Sequence, residues 1–380
     1  MYSYDLLKIS KEDKPSFIKG LKNPCWYDKS SKKSLKCLPY FFILGQPKSG
    51  TTDLYKRLVY HPDIIPPVLK GVNFWTRPHF KKVNTSIQIQ NTFKTYLSQF
   101  SPLTNHLQRR CGFGNVSAIS HQFSCKSLIS LDASTSTLWD NNMIIKNIRK
   151  VLKYRDTPMD SIEEIVLRRH KKGNFSFISK SYEKNSDNFP FTVADIIRKV
   201  LPRARFIVIL RDPVERLYSG YKYFKQWNIN VSPAKFDSVV NESMKLWRDC
   251  LRKHSEKFCA YEGKCLPLMK ARLHVGLYSV YLKDWFKVFP RNQFLVIRTE
   301  DYKINISSTL QRIYKHLGLR NLPMSKLRTI SKMPFANRNK VRVNEMLNET
   351  RKRIKNFYQR YNEELAELLN DQRFLWDDVP

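Results

Sequence analysis

Short apolar runs alternate with amphipathic stretches along the chain. The runs at residues 40–44 (YFFIL), 205–210 (RFIVIL) and 293–298 (QFLVIR) have the apolar character of strands buried on both faces of a parallel sheet. A helical pattern follows the first run at residues 51–60, and helical patterns precede the others at residues 191–201 and 277–289. This alternation predicts an α/β fold with an open, mostly parallel sheet flanked by helices.

The remaining stretches predict how the chain is divided. Residues 1–38 are polar and rich in lysine and serine, so we expect an N-terminal arm followed by one domain over residues 39–380. Residues 80–190 carry Ser/Asn-rich loops and basic runs, which are typical of insertions around a sheet. The pattern over residues 343–369 predicts a long helix.

The amino-acid composition predicts a folded protein with a basic surface. Hydrophobic residues make up 42% of the 380 residues, which is enough for a sizeable core. Lys and Arg number 68 against 33 Asp and Glu, a net charge of +35 that implies a polyanionic partner. A nucleic acid, an anionic membrane and an acidic polysaccharide all meet this description. The basic residues are spread along the whole chain, which favours a charged folded surface over a basic tail.

Sequons and cysteines point to the secretory route, although no apolar stretch is long enough to span a membrane and no signal-peptide core is visible. A secretory protein would therefore need an anchor outside this sequence. The chain has seven cysteines in local groups without a C-x-x-C pair, which favours disulfides over structural thiols and leaves at least one thiol unpaired within the chain. The seven sequons lie at Asn84, Asn115, Asn174, Asn230, Asn241, Asn305 and Asn348.

The first strand runs into a glycine-rich loop, GQPKSGTT, at residues 45–52. A loop between a strand and a helix N-terminus points backbone N–H groups at an anion. Gly50 allows close approach of the backbone, Lys48 adds a mobile charge, and Ser49, Thr51 and Thr52 add hydroxyl donors. Because the lysine precedes the second glycine, the order differs from the Walker loop. The alternative is a tight turn with an exposed lysine.

A second candidate anion site follows the second strand, in RFIVILRDPVERLYSGY (residues 205–221). Arg211 comes at the carboxyl end of the strand, where open α/β sheets bind ligands, and its guanidinium suits a phosphate. Ser219 comes eight residues later, about two helical turns on, so a helix can bring it beside the arginine. The alternative is an N-capped helix without a ligand.

These two segments resemble the 5′-phosphosulfate loop and the 3′-phosphate motif of sulfotransferases that use 3′-phosphoadenosine 5′-phosphosulfate. KGVNFWTR (residues 70–77), DASTSTLWDN (residues 132–141) and FYQRYNEELAELLNDQRFLW (residues 357–376) are similar to the carbohydrate sulfotransferases of the chondroitin type. The resemblance implies a P-loop-like sulfotransferase fold and a cofactor site with no required metal. By the same resemblance, Lys48, Ser49, Gly50, Thr51 and Thr52 bind the 5′-phosphosulfate, and Arg211 and Ser219 bind the 3′-phosphate.

The resemblance also implies catalytic roles. Lys48 would stabilise the leaving oxygen during transfer to a sugar hydroxyl. The segment that matches Lys70 and Gly71 reads Lys-Glu in related enzymes, where the glutamate is the general base. Gly71 has no side chain to accept a proton, so we expect Gly71→Glu to raise the rate.

Asp132, His79 and His61 are the substitute bases that the sequence offers. A turn-capping role is the alternative for Asp132, and ordinary packing is the alternative for the histidines. A family member that binds nucleotide and glycan without catalysis is a further interpretation. Trp75 and Trp139 are candidate sugar platforms or core aromatics.

The predicted function is therefore carbohydrate O-sulfation in the Golgi. The partner would be an anionic glycosaminoglycan of the chondroitin or dermatan type, and not a nucleic acid. A P-loop-type nucleotide phosphotransferase and a heparin-binding protein without catalysis are the rival hypotheses.

Overall fold

The computed structural model describes residues 16–28, 34–77, 79–81, 88–90, 92–112, 123–144, 168–169, 175–176, 192–224, 232–261, 266–336 and 345–378. Its strands form one parallel sheet of four strands and three two-stranded antiparallel pairs. The strands are β1 Cys25–Tyr27, β2 Leu35–Cys37, β3 Phe41–Gly45, β4 His79–Lys81, β5 Gln88–Gln90, β6 Leu131–Asp132, β7 Arg168–Arg169, β8 Phe175–Ser176, β9 Arg205–Leu210 and β10 Phe294–Arg298.

The four-stranded sheet has the order β10-β9-β3-β6, and all of its neighbouring pairs are parallel. The open parallel sheet with flanking helices confirms the predicted α/β fold, and β3, β9 and β10 lie on the three predicted strands. β6 is the strand that the pattern did not predict, because it has two residues inside the stretch expected to hold insertions. In this register β3, β9 and β10 end at one edge of the sheet, where the two predicted anion-binding segments begin.

Helices connect and cover these strands. The predicted helices after β3, before β9 and before β10 are confirmed, and so is the long helix near the C-terminus. The α-helices are α1 Thr51–Leu58, α2 Phe93–Ser98, α3 Ser101–Cys111, α4 Phe123–Lys126, α5 Val193–Val200, α6 Pro213–Phe224, α7 Pro233–Leu251, α8 Glu256–Tyr261, α9 Tyr278–Val288, α10 Thr299–Ile304, α11 Ile306–His316, α12 Met324–Lys332 and α13 Asn348–Leu369.

The sheet separates two hydrophobic cores. Successive strand residues point to opposite faces, so each apolar run supplies both cores. Phe42 and Phe206 belong to the larger core, which α5, α9 and α13 cover. Phe41 and Ile207 belong to the smaller core, which α1 and α11 cover. Burial on both faces explains why these strands are apolar runs and show no alternation.

Residues 16–28 and 34–38 are the described part of the segment expected to be a polar arm, and they pack against the rest of the domain. β1 and β2 pair as a hairpin, and Cys25, Leu35, Cys37 and Leu38 are buried in the larger core. Lysines and serines dominate its composition, but the few apolar side chains decide its packing. The described part of residues 16–38 is therefore integrated into the domain.

Three disulfides confirm the preference for disulfides over free thiols. They join Cys25 to Cys37, Cys111 to Cys125 and Cys250 to Cys259. Cys265, the seventh cysteine, lies outside the described residues. Of the sequons, Asn241, Asn305 and Asn348 are exposed, and the other four also lie outside the described residues.

None of the described helices is both long enough and apolar enough to cross a lipid bilayer.

Candidate active site

The glycine-rich loop lies between β3 and α1 at the carboxyl edge of the sheet. Lys48 and Gly50 both have positive φ, 71° and 84°, which turns the chain sharply into the helix. Gly50 precedes α1 and provides no side-chain cap, so the first N–H groups of the helix are left for a ligand. The Nε2 of Gln46 donates to the backbone oxygen of Val275 at 2.7 Å and fixes the start of the loop.

The end of β10 supports the same loop. The Thr299 hydroxyl lies 2.8 Å from the backbone oxygens of both Ser49 and Leu210. It therefore connects three parts of the chain: the loop that follows β3, the carboxyl end of β9, and the residue that follows β10. The contact holds the predicted 5′-phosphosulfate loop at a fixed distance from the start of the 3′-phosphate motif.

An open cleft of about 660 Å³ lies over this edge. The two predicted anion-binding segments meet in it, since Lys48, Gly50, Thr51 and Thr52 line it together with Arg211 and Ser219. The cleft also contains Lys70, Lys222 and Lys303. Five cationic side chains therefore face two carboxylates, those of Asp53 and Glu215.

Both of these carboxylates are already paired. Asp53 binds the buried Arg57, with 2.7 Å between the Arg57 Nε and the Asp53 Oδ2, and accepts a hydrogen bond from the Tyr302 hydroxyl. Glu215 lies 3.2 Å from the Arg211 Nη2 and 2.8 Å from an Arg351 nitrogen. The cleft is therefore electropositive, as a site for a phosphorylated nucleotide requires.

Lys48 rests on an aromatic ring. Its Nζ lies 3.8 Å from the ring centroid of Tyr223, an exposed residue of α6. Burial and the nearby Arg211 lower the pKa of Lys48 to about 8. A cation–π contact at an exposed site contributes only about 0.5–1 kcal/mol, so the energy needed to turn the lysine towards a ligand is small.

The pKa of Lys70 is also lowered. Burial lowers the pKa of Lys70 to about 8, and the carboxylate of Asp132 opposes this shift. About a tenth of such side chains are neutral at pH 7, against far fewer for an ordinary lysine. Lys70 thus lines the cleft as an amine that is able to take a proton.

Asp132 is buried in β6 and does not line the cleft. Its Oδ2 accepts a hydrogen bond of 2.8 Å from the Tyr96 hydroxyl, and its Oδ1 accepts one of 2.9 Å from the backbone N–H of Ser134. Burial raises the pKa of Asp132. This geometry does not support the expectation that Asp132 acts as a base, and it favours a structural role beside Lys70.

Ser49 and His61 also differ from the sequence-based expectation. Ser49 is buried and does not line the cleft, and its hydroxyl has no hydrogen-bond partner within the described residues. His61 is buried against Tyr314, with its Nε2 2.9 Å from the Arg320 backbone oxygen, so it packs away from the cleft. The side chain of His79, the remaining candidate, lies outside what the structure describes.

The two candidate sugar platforms are core aromatics. Trp75 is 3% exposed and packs against Phe42, Phe74 and Tyr96. Trp139 is 4% exposed and is covered by Arg272. Neither offers a ring face to a sugar. Tyr223 and Phe224, which line the cleft at the end of α6, are the exposed aromatics that the sequence analysis missed.

Lys222 and Lys303 were missed as well. Lys222 follows Ser219 by three residues in α6, which is the spacing of side chains on one helix face. Lys303 follows Thr299 by four residues in α10. The helical spacing from Ser219 was a signal that could have identified Lys222, whereas Lys303 required knowledge of the strand order.

The backbone conformation at Gly71 is unfavourable for any residue with a side chain. Its φ is 77°, and an added Cβ would lie 3.1 Å from the Ala133 backbone oxygen. The expectation that Gly71→Glu raises the transfer rate stays a prediction, but this backbone adds a cost in stability. We expect Gly71→Glu to lower the free energy of unfolding by about 1–3 kcal/mol, measured by denaturant unfolding.

Gly20→Glu provides the matched control, because Gly20 has a φ of 87° and nothing within 4 Å of an added Cβ. A smaller loss at this position would isolate the contact with Ala133. Unchanged stability in Gly71→Glu would contradict the expected strain, and a faster transfer rate in the same variant would support a lost base at this position.

The nucleotide site should depend on pH. Lys48 is protonated below its pKa of about 8 and neutral above it, so it attracts a phosphate only below that value. We expect the affinity for 3′-phosphoadenosine 5′-phosphate to fall by up to about tenfold per pH unit between pH 8 and 9.5. Calorimetric titration of the protein and of Lys48→Ala tests this, and an equally steep fall in the variant would contradict it.

Comparisons with known proteins agree with this geometry. The family model described as "Sulfotransferase family" matches residues 39–323. "Carbohydrate sulfotransferase 15" of Homo sapiens is 33% identical over 348 residues, which are 90% of this chain and 55% of that protein. Its counterpart in Rattus norvegicus is 33% identical over 349 residues, with the same two shares. The chain thus spans about half the length of these relatives.

Among solved structures, a sulfotransferase from Alicyclobacillus acidocaldarius is similar. It is 20% identical, and the match covers 88% of this chain and 96% of that one with a TM-score of 0.46.

Proposed function

Because the chain belongs to the sulfotransferase family, we propose that it transfers a sulfuryl group from 3′-phosphoadenosine 5′-phosphosulfate to a hydroxyl of a glycan. One observation carries the proposal: the glycine-rich loop, Arg211 and Ser219 meet in a single electropositive cleft. Two candidate anion-binding segments about 160 residues apart in sequence line the same cleft at the carboxyl edge of the sheet, which supports a ligand with two phosphorylated ends. The relatives named carbohydrate sulfotransferase 15 support a carbohydrate acceptor.

The described residues fit the donor. Lys48 and the N–H groups at the start of α1 would hold the 5′-phosphosulfate, with the hydroxyls of Thr51 and Thr52 as further donors. Arg211 and Ser219 would hold the 3′-phosphate. Lys222 and Lys303 would add positive charge along the cleft.

The transfer requires a leaving group and a proton acceptor. The bond between sulfur and the phosphate oxygen breaks as a bond from the acceptor oxygen to sulfur forms, and the products are a sulfate ester and 3′-phosphoadenosine 5′-phosphate. Lys48 would neutralise the charge that develops on the leaving oxygen. We assign the proton of the acceptor hydroxyl to the amine of Lys70, because the two carboxylates in the cleft are paired and its own pKa is about 8.

The acceptor that suits this protein is an anionic glycan of the chondroitin or dermatan type. The net charge of +35 favours a polyanion, and the exposed Tyr223 and Phe224 offer ring faces at the cleft. The three disulfides and the exposed sequons favour work in the lumen of the secretory pathway, which agrees with the expected Golgi location.

Transfer from a sulfur-labelled donor to a panel of glycosaminoglycans tests the proposal. Label in a chondroitin or dermatan chain is the expected result. Nucleotide binding without transfer to any glycan would favour a catalytically impaired family member, which the pairing of both cleft carboxylates also allows. Metal-dependent turnover of ATP would favour a phosphotransferase.

Arg211 and Ser219 can be tested through the 3′-phosphate. We expect Arg211→Ala to weaken binding of 3′-phosphoadenosine 5′-phosphate by about 10–100-fold, because a hydrogen bond to a charged group contributes about 1.5–3 kcal/mol. Ser219→Ala should weaken it less. Adenosine 5′-phosphate, which lacks the 3′-phosphate, should bind both variants about as poorly as it binds the unmodified protein.

Arg203→Ala is the matched control, since Arg203 is exposed before the opposite end of the same strand. If Arg211→Ala still discriminates between the two nucleotides as well as the unmodified protein does, the 3′-phosphate is held elsewhere.

A further inference from the structure

A second large groove lies at the opposite edge of the parallel sheet from the cleft. This amino-edge groove has a volume of about 760 Å³, and Tyr40, Arg205 and Gln293 line it where β3, β9 and β10 begin. Arg205 begins β9 and Arg211 follows its last residue, so roughly 20 Å of strand separate the groove from the cleft. No step of the proposed reaction uses this surface.

Two segments form the walls of the amino-edge groove, and both are held in place. Residues 17–24 form one wall, where the buried Asn23 accepts a hydrogen bond of 2.8 Å from the Ser130 backbone N–H. Residues 201–205 form the other wall, and the Nε2 of Gln293 donates to a backbone oxygen of this segment at 2.6 Å. The side chains of the groove therefore extend from a fixed backbone.

The charged side chains that line this groove all have the same sign. One wall contributes Lys19 and Lys22, and the other contributes Arg203 and Arg205. No acidic side chain among the described residues lines the groove. Its electrostatic potential is therefore positive, as a binding site for a polyanion requires.

Lys22 is the half-buried cation of the groove, and its hydrogen-bond partner is neutral. Its Nζ donates to the backbone oxygen of Gly318. Burial and the charge of Arg205 lower the pKa of Lys22, and the carboxylate of Asp63 opposes this shift. Asp63 is itself paired with Arg320, at 3.1 Å from its Nε. Lys22 and Arg205 therefore repel each other, and an anion bound beside them would stabilise both.

Apolar side chains line the groove between these charges. Phe17, Ile18 and Leu21 are partly buried and come from the first wall. Tyr40 is also partly buried, and the Nζ of Lys22 lies 5.6 Å from its ring centroid. A glycosaminoglycan offers the matching groups, because it has sulfates and carboxylates along its length and apolar faces on its sugar rings.

We propose that the amino-edge groove binds a sulfated glycosaminoglycan chain away from the reaction centre, with Lys22 and Arg205 as its inner cations. The inference rests on the proposed function, which supplies the class of partner. The concave shape suits a linear chain better than the plane of a bilayer. A long chain held both here and at the cleft would stay near the protein between transfers, because the second contact raises its effective concentration.

Direct binding tests this groove without catalysis. Calorimetry would use protein saturated with 3′-phosphoadenosine 5′-phosphate, with a short chondroitin sulfate oligosaccharide as one probe. Vesicles of equal parts phosphatidylserine and phosphatidylcholine are the other probe. Hydrogen exchange with and without the oligosaccharide would locate the bound chain.

Two variants remove charge from the groove. Lys22→Gln combined with Arg205→Gln removes the two inner cations, and its melting temperature is checked first. Lys19→Glu changes an exposed residue, so it leaves the core undisturbed. Lys245→Glu is the matched control, because Lys245 is an exposed lysine of α7 that does not line the groove.

We expect the double variant to raise the Kd of the oligosaccharide about tenfold or more, and Lys19→Glu to raise it about threefold. Lys245→Glu should change it by less than about twofold. In unmodified protein the oligosaccharide should slow exchange in residues 17–24 and 201–205. The Kd of the nucleotide should stay within about twofold in every variant, because roughly 20 Å exceeds the Debye length of about 8 Å.

Three results would overturn the site. Unchanged oligosaccharide binding in the variants, with slowed exchange confined to the cleft, would show that the glycan does not enter the groove. An equal effect of Lys245→Glu would reduce the result to a general response to net charge. Vesicle binding that the variants lose, with glycan binding intact, would assign the groove to a membrane surface.

The outcome for the groove is distinct from the outcome for the activity. Charge-dependent binding in the groove without transfer to any glycan would leave the site standing and refute the proposed activity. Transfer by the unmodified protein, together with variants that bind the oligosaccharide normally, would refute the site alone.

Discussion

Replacement of Lys48 by alanine is expected to lower the rate of sulfuryl transfer by about 10²–10³-fold while the protein stays folded. Lys48 is the cation of the glycine-rich loop, and its amine lies at the cleft on the ring of Tyr223 with no carboxylate partner in the described structure. It therefore contributes little to packing. In the proposed reaction it neutralises negative charge on the leaving phosphate oxygen, an interaction that strengthens as the sulfur–oxygen bond breaks.

Lys56→Ala is the matched control for this experiment. Lys56 lies in α1, directly after the same loop, but it is exposed and does not line the cleft. Single-turnover rates with labelled donor, together with melting temperatures, would separate catalysis from folding. A folded Lys48→Ala protein that transfers sulfate at a near-normal rate would show that the loop lysine has another task.

Replacement of Lys70 is expected to lower the rate of sulfuryl transfer at least as much as replacement of Lys48, for a different reason. If its amine takes the proton of the acceptor hydroxyl, Lys70→Met lowers the transfer rate by about 10²–10⁴-fold, the usual contribution of a positioned base. Lys70→Arg distinguishes this role from a purely electrostatic one. Arginine keeps the positive charge, but it stays protonated throughout the working pH range and cannot accept a proton.

The pH profile gives Lys70 an independent test. The neutral fraction of Lys70 increases as the pH approaches about 8, so the transfer rate at saturating donor should rise between pH 6 and 8. Lys70→Met and Lys70→Arg should both lose that rise. Full activity in Lys70→Arg would exclude the amine as the base, and it would leave Lys70 as a second cation that stabilises the transferring group.

The sequence predicted the elements that build the cleft because strong local signals define them. The apolar runs of β3, β9 and β10 are buried on both faces, and helical periodicity marks α1, α5 and α9. The place of the two candidate anion-binding segments at the sheet edge was predicted for a related reason. Each couples a strand end to a helix start, so the residues that would touch a ligand are close together in the sequence.

The remaining features depend on contacts between distant residues. Asp132 appeared to be a candidate base, but Tyr96 and Ser134 occupy its carboxylate inside the protein. Nothing in the sequence indicated that a side chain at Gly71 would be strained. In the structure its φ is 77°, and an added Cβ would lie close to the Ala133 backbone oxygen. Neither fact follows from local pattern, because both depend on β6, a two-residue strand without a periodic signal.

The disulfides have a practical consequence for recombinant production. Each joins cysteines only 9 to 14 residues apart, so none of them links the distant segments that form the parallel sheet. A loop of that size contributes roughly 3 kcal/mol in the chain-entropy account. In a bacterial cytosol the thiols would stay reduced, and β1 and β2 would lose the covalent link between Cys25 and Cys37. An oxidising host compartment is therefore the appropriate source of active protein.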